Sequence, residues 1–257
     1  MTLRCLNLLF LTTLIFNPSF SQERIKVSTT SGPSYSLARE TYFVLKSDST
    51  TKDGPYQQYI NNNIQLSGAY RNGQKDSVWE YYSYDAKNRP FPTSRKWYTQ
   101  GIKTGKWEFF NRQGIIEFAY DFTTDELHYY TQTENKDTTT SYFQTASGEW
   151  VRSNLDRWPI QLYGSVEWQR YLNHNFRYPN EAVEKELMGK VLISITVDEN
   201  GHASDFAVFQ KAAPSLDQEA LRVVSAYAHE FVPAVKDGKK VKSLFIIPII
   251  FKLERGN

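Results

Sequence analysis

Residues 178–209 read YPNEAVEKELMGKVLISITVDENGHASDFAVF, and residues 215–253 read SLDQEALRVVSAYAHEFVPAVKDGKKVKSLFIIPIIFKL. Pro179 suits a first helical turn, where its missing N–H costs nothing, and Glu181 and Glu184 suit the same end of the helix dipole. Gly189 releases the chain into a strand. Val191, Ile193, Ile195 and Val197 then share one face, with Ser194 and Thr196 on the other. Asn200-Gly201 predicts a two-residue turn with φ > 0 at both centres, folding the strand back into Ala203–Phe209. Ser215 and Gln218 have capping-box spacing ahead of a helical stripe formed by Leu216, Ala220, Val223, Val224 and Tyr227. A turn at Asp237-Gly238 leads into a nearly unbroken apolar strand, Leu244–Leu253. One helix on a three-stranded antiparallel sheet is the economical assembly, an α+β domain.

These residues resemble a known family. Tyr178-Pro179, Ala182, Gly189-x-Val191, Asp198-x-x-Gly201, Leu216-Asp217-x-x-Ala220-Leu221, Phe231-x-Pro233-Ala234, Gly238-Lys239 and Pro248-Ile249-x-Phe251 follow the order and spacing of the TonB C-terminal domain, over roughly residues 160–254. The helix predicted from Gly164-Ser165 through Trp168, Tyr171 and Leu172 also has its counterpart there. It stops before Tyr178-Pro179 because a residue preceding proline avoids the helical region.

The last strand carries the functional expectation. Leu244, Ile246, Pro248 and Ile250 alternate with Phe245, Ile247, Ile249 and Phe251, so both faces are apolar. Pro248 cannot donate to a ladder and belongs on an edge, and a long edge strand invites strand addition by an extended peptide. In TonB-like domains the final strand accepts a short segment of an outer-membrane transporter, with residues near the Tyr-Pro pair assisting. By position, the resemblance implies Ser243, Leu244, Phe245, Ile246, Ile247, Pro248, Ile249, Ile250, Phe251, Lys252 and Leu253 as the receiving edge, with Asn175, Arg177, Tyr178 and Pro179 beside it. The competing expectation is a self-associating envelope scaffold, with the same strand buried in a symmetric dimer.

Upstream, the sequence repeats. YRNGQKDSVWEYYS from Tyr70 aligns with YTQGIKTGKWEFFN from Tyr98 at an offset of 28, and GPYQQYINN from Gly54 matches the second half of the unit. Each copy predicts a β-hairpin, and the unit resembles the bacterial variant of the MORN repeat, with Ser77 standing where glycine is usual. Trp79 and Trp107 predict inter-hairpin packing in preference to a ligand-stacking surface. The expected organisation is a signal peptide over 1–21, a polar leader over 22–52 with a short strand near Tyr42 and Val44, an all-β hairpin stack over 53–160, and the TonB-like domain over 161–257.

Arg4, the 11-residue apolar run Leu6–Phe16 and the small residues Ser19 and Ser21 predict cleaved export, because a membrane span needs about 20 apolar residues. Cleavage removes the single cysteine, Cys5, and leaves a chain at home in a periplasm; retention would make the run a short inner-membrane anchor. TonB energy transducers carry a membrane helix and a long proline-rich spacer, whereas the 10 prolines here are scattered, so the expected role is binding rather than transduction. A net charge of +2 without a basic cluster argues against nucleic acid. His128, His174, His202 and His229 form no zinc spacing, and no hydrolase, Walker or dinucleotide motif occurs, so no cofactor, metal or catalytic residue is expected. Asp121, Asp125 and Glu126 are expected to be a solvated cluster.

Overall fold

The computed structural model describes residues 22–33, 37–129 and 142–253. The expected signal peptide and Cys5 lie outside them. Nine strands form one antiparallel sheet in chain order: β1 (Arg24–Ser31), β2 (Ala38–Leu45), β3 (Asp48–Ile60), β4 (Asn63–Arg71), β5 (Gln74–Tyr84), β6 (Pro90–Thr99), β7 (Ile102–Phe110), β8 (Ile116–Asp121) and β9 (Glu126–Tyr129). The leader expected over residues 22–52 is therefore largely sheet: β1 and β2 pair along eight residues, from Arg24↔Leu45 to Ser31↔Ala38.

The repeat recurs in the geometry. Gly54, Ser77 and Gly105 all have positive φ (117°, 61° and 60°), and two residues later Tyr56, Trp79 and Trp107 are each buried. The Trp79 indole donates to the Ala69 carbonyl at 3.1 Å and the Trp107 indole to the Trp97 carbonyl at 2.9 Å. Ser77 thus occupies the left-handed conformation that Gly105 adopts freely in the next copy. Tyr56, Tyr70 and Trp79 pack ring against ring across successive hairpins, at centroid distances of 4.9–5.5 Å. These aromatics pack hairpin on hairpin, as the sequence predicts.

The C-terminal part is larger than the three strands expected. Its sheet has the order β11 (Trp150–Arg152), β10 (Tyr142–Gln144), β18 (Ser243–Phe251), β13 (Gly189–Val197), β14 (Ala203–Gln210). The region expected to finish the hairpin stack instead contributes β10 and β11 here, while β12 (Ile160–Gln161) pairs with β15 (Phe231–Val232). The short strands β16 (Ala234–Lys236) and β17 (Lys239–Val241) form a hairpin on the expected turn at Asp237-Gly238, where both residues have positive φ.

Three helices accompany this sheet: α1 (Ser165–Asn175), α2 (Asn180–Glu184) and α3 (Pro214–Ser225). The α3 stripe Leu216, Ala220, Val223 and Val224 is fully buried against Val191, Ile193, Ile195 and Val197. Two local expectations fail. Ala213 is the α3 N-cap and no side chain caps it; the Ser215 hydroxyl is buried without a partner, and Asp217 Oδ1 instead accepts from the Ala212 N–H at 2.9 Å. The Asn200-Gly201 turn is a longer loop. Only Gly201 has positive φ, and Asp198 accepts from the backbone N–H groups of Asn200 and His202, both at 2.8 Å, so the aspartate side chain closes the turn. A Cβ on Gly201 would lie 2.1 Å from the Phe231 carbonyl oxygen, which excludes any side chain there.

The two sheets meet through α1 and the segment before it. Ile160 and Leu162 are buried with Trp107, Phe109 and Tyr120. Ser94 donates to Glu167 at 2.6 Å, Lys96 Nζ to the Leu162 carbonyl at 3.3 Å and the Ser165 hydroxyl to Glu117 at 2.5 Å. These bonds fix α1 in place beside β18.

Candidate functional site

Strand β18 pairs with β13 in unbroken register, from Val197↔Ser243 to Gly189↔Phe251. On its other side only Ser243 has a strand partner among the described residues, Phe143 of β10. The Gln144 N–H donates to the Lys242 carbonyl at 2.8 Å, so the backbone groups of Lys242 point away from β13. Alternation along an antiparallel strand points those of Leu244, Ile246, Pro248 and Ile250 the same way. Pro248 has no N–H to offer on that side. The bridge to Phe143 also engages the Leu244 N–H, so beyond it the edge presents two N–H donors, from Ile246 and Ile250, and four carbonyl acceptors to whatever lies beside it.

Burial separates the two faces. Ile247, Ile249 and Phe251 join the core under α3, with Phe245 partly buried against it, whereas Ile250 is 66% exposed. A groove of about 420 Å³ runs between this edge and α1, lined by Gln169, Leu172, Asn173, Phe176, Pro248, Ile249 and Ile250. Leu172 and Phe176 supply its apolar helix wall, and Gln169 Nε2 donates to Asn173 Oδ1 at 2.9 Å across one turn.

The expected receiving residues divide accordingly. Leu244, Ile246, Pro248 and Ile250 present backbone to the open edge, while Phe245, Ile247, Ile249 and Phe251 serve the core. Ser243 is fully buried and already paired, and Lys252 and Leu253 lie past the strand end. Of the four flanking residues, Tyr178 touches the strand and the other three face away from the groove. Arg177 and Pro179 line a separate hollow with Asn180, Glu181, Glu219 and Arg222. The Arg177 N–H donates to Glu219 at 2.7 Å. The Tyr178 ring packs edge-on against Phe251 at 5.5 Å and its hydroxyl donates to the Leu187 carbonyl at 2.6 Å. Asn175 bonds back to Tyr171, and its carbonyl accepts from Arg222. The residues that flank the edge are Gln169, Leu172, Asn173 and Phe176. Their i, i+3, i+4, i+7 spacing is a helical stripe that the sequence displays and that the more prominent Trp168/Tyr171 pair obscured.

The other expected clusters are structural. Asp125 bonds Tyr120 and pairs with Arg157 at 2.8 Å; burial would raise its pKa, but these bonds and the guanidinium charge hold it below the usual carboxylate range. Asp121 accepts from the Thr123 N–H and Glu126 from the Thr124 hydroxyl. Among the described residues no group of three acidic, histidine or cysteine side chains could hold a metal. His229 is not an isolated surface histidine: it lies against Tyr163, Trp168, Tyr227 and Phe231. Its Nε2–H donates to the Val224 carbonyl at 2.9 Å, and burial pushes its pKa below 6.5. Among the described residues no helix is long and apolar enough to cross a membrane.

Residues 174–253 match the family model of the Gram-negative bacterial TonB protein C-terminal domain. The match begins in the last turns of α1 and ends two residues after β18. No curated protein and no solved structure matches the chain.

Proposed function

We propose that the chain is an envelope protein that captures an extended segment of a partner, most plainly an outer-membrane transporter, by strand addition to β18. The single observation that carries this reading is the half-open strand: β18 is bonded to β13 along its whole length, yet beyond Ser243 its other edge has no strand partner among the described residues. The apolar wall of α1 stands beside it. A strand laid there gains main-chain hydrogen bonds, and alternate side chains gain the groove. The TonB family match over residues 174–253 supplies the partner class. Export to the periplasm follows from the N-terminal sequence. The hairpin stack, MORN-like in its sequence motif, serves as the rigid mount that fixes α1, with residues 161–257 as the binding unit.

The test is amide hydrogen exchange on the exported chain, with and without a synthetic peptide from the periplasm-facing end of a transporter. Slower exchange at Ile246 and Ile250 in the complex, with Ile247 and Ile249 unchanged, is the expected outcome. Protection of those two amides without peptide, together with a dimeric mass, would replace transporter capture with self-association.

A further inference from the structure

The groove at β18 does not end at α1. Asn173 lines it and also lines a second recess of about 340 Å³, between α1 and the nine-stranded sheet. Tyr84 and Phe91 contribute rings to this recess, and Arg112 and Arg170 contribute charge. Neither guanidinium has an ion-pair partner among the described residues. Arg170 donates to the Tyr82 carbonyl at 3.2 Å, which occupies one nitrogen and leaves most of its five hydrogens for a ligand. The one carboxylate in the recess, Asp85, is committed to Arg89 at 2.7 Å and to the backbone N–H groups of Lys87 and Arg89. The recess is therefore cationic where the adjoining groove is apolar, and Asn173 lines both.

We propose that the captured segment is an extended peptide that is apolar along β18 and acidic at one end, the acidic end being read by Arg112 and Arg170. This rests on the strand-addition reading and adds the partner's chemistry. Two guanidiniums in a partly enclosed recess suit carboxylates, which they can hold in bidentate fashion. Arg112 lies on the loop after β7, so the hairpin stack takes part in choosing the partner as well as holding α1.

The experiment compares three synthetic octapeptide amides for binding to the exported chain: alternating Val/Thr, the same with two glutamates added at the N-terminus, and the same with two added at the C-terminus. At low ionic strength one acidic peptide is expected to bind about fivefold tighter or better than the neutral one, with the gain shrinking in 0.5 M salt. Arg112→Glu combined with Arg170→Gln should erase that gain while leaving the neutral peptide's affinity in place. Equal binding of all three, or a gain that survives the double substitution, overturns the acidic-end assignment and leaves strand addition standing. Failure of every peptide to bind overturns strand addition, and this proposal with it.

Discussion

The nine-stranded sheet and the five-stranded sheet are both antiparallel, but they are assembled on opposite plans. In the first, every strand pairs with its neighbour in sequence, and the aromatic residue two positions after Gly54, Ser77 and Gly105 seals one hairpin to the next. In the second, the central strand is the last in the chain and pairs with one strand some 50 residues earlier and another some 100 earlier. The local plan makes a mount whose stability is distributed over repeats. The non-local plan concentrates the core on one strand and leaves most of that strand's outer edge unpaired among the described residues. The open edge and the sheet that supports it thus come from two different ways of closing a sheet.

That contrast can be broken or sharpened by substitution. The largest effect is expected for Trp107→Ala, which empties a fully buried site and removes the indole bond to Trp97; chemical denaturation should show a loss of about 3–5 kcal/mol. A loss below about 1 kcal/mol would show that the stack does not rely on its aromatic seals. Gly105→Ala should cost about 1 kcal/mol, since φ is 60° there, whereas Ser77→Gly should gain a few tenths to about 1 kcal/mol at the equivalent place. Opposite signs would establish that the two copies share one backbone geometry. Equal signs would break the equivalence.

A smaller effect belongs to His229. Because burial holds its folded pKa below 6.5, the unfolded chain takes up the proton first as pH falls. Stability from this group is therefore complete above about pH 6.5 and declines as pH drops through and below that value. Melting profiles between pH 7 and 5 should flatten in His229→Gln; an unchanged slope would assign the pH dependence to other groups. The smallest stability effect is expected for Ile250→Lys, within about 0.5 kcal/mol of the parent because the side chain stands in solvent. Its peptide affinity should nevertheless fall at least tenfold in a fluorescence titration. A stability loss of several kcal/mol would return Ile250 to the core and remove the edge.

Much of this was legible in the chain. The apolar strands β13 and β18, the α3 stripe, the Asp237-Gly238 turn and the 28-residue repeat follow from periodicity and turn chemistry, which act over short distances. What escaped depends on tertiary competition. Ser215 has the right spacing for a cap, but Asp217 reaches the Ala212 N–H instead. Residues 142–152 alternate like any hairpin, and nothing local says that they join β18 in preference to β9. At the candidate edge, the exposure of Ile250 and the missing donor of Pro248 were readable because they are properties of one strand. That Arg177 and Pro179 line a separate hollow was not legible, because the direction in which the chain leaves α1 decides which hollow they face.

Pro248 has a consequence for the partition of this edge between foreign and identical strands. A foreign peptide meets the missing donor once. Two copies of the chain paired through a two-fold axis would meet it twice, once from each proline. With a net hydrogen bond contributing about 1 kcal/mol, the self-pair is disfavoured by a factor of roughly five relative to a heterologous one of equal length. One imino acid thus makes the edge a poorer match for its own kind than for a strand of different sequence.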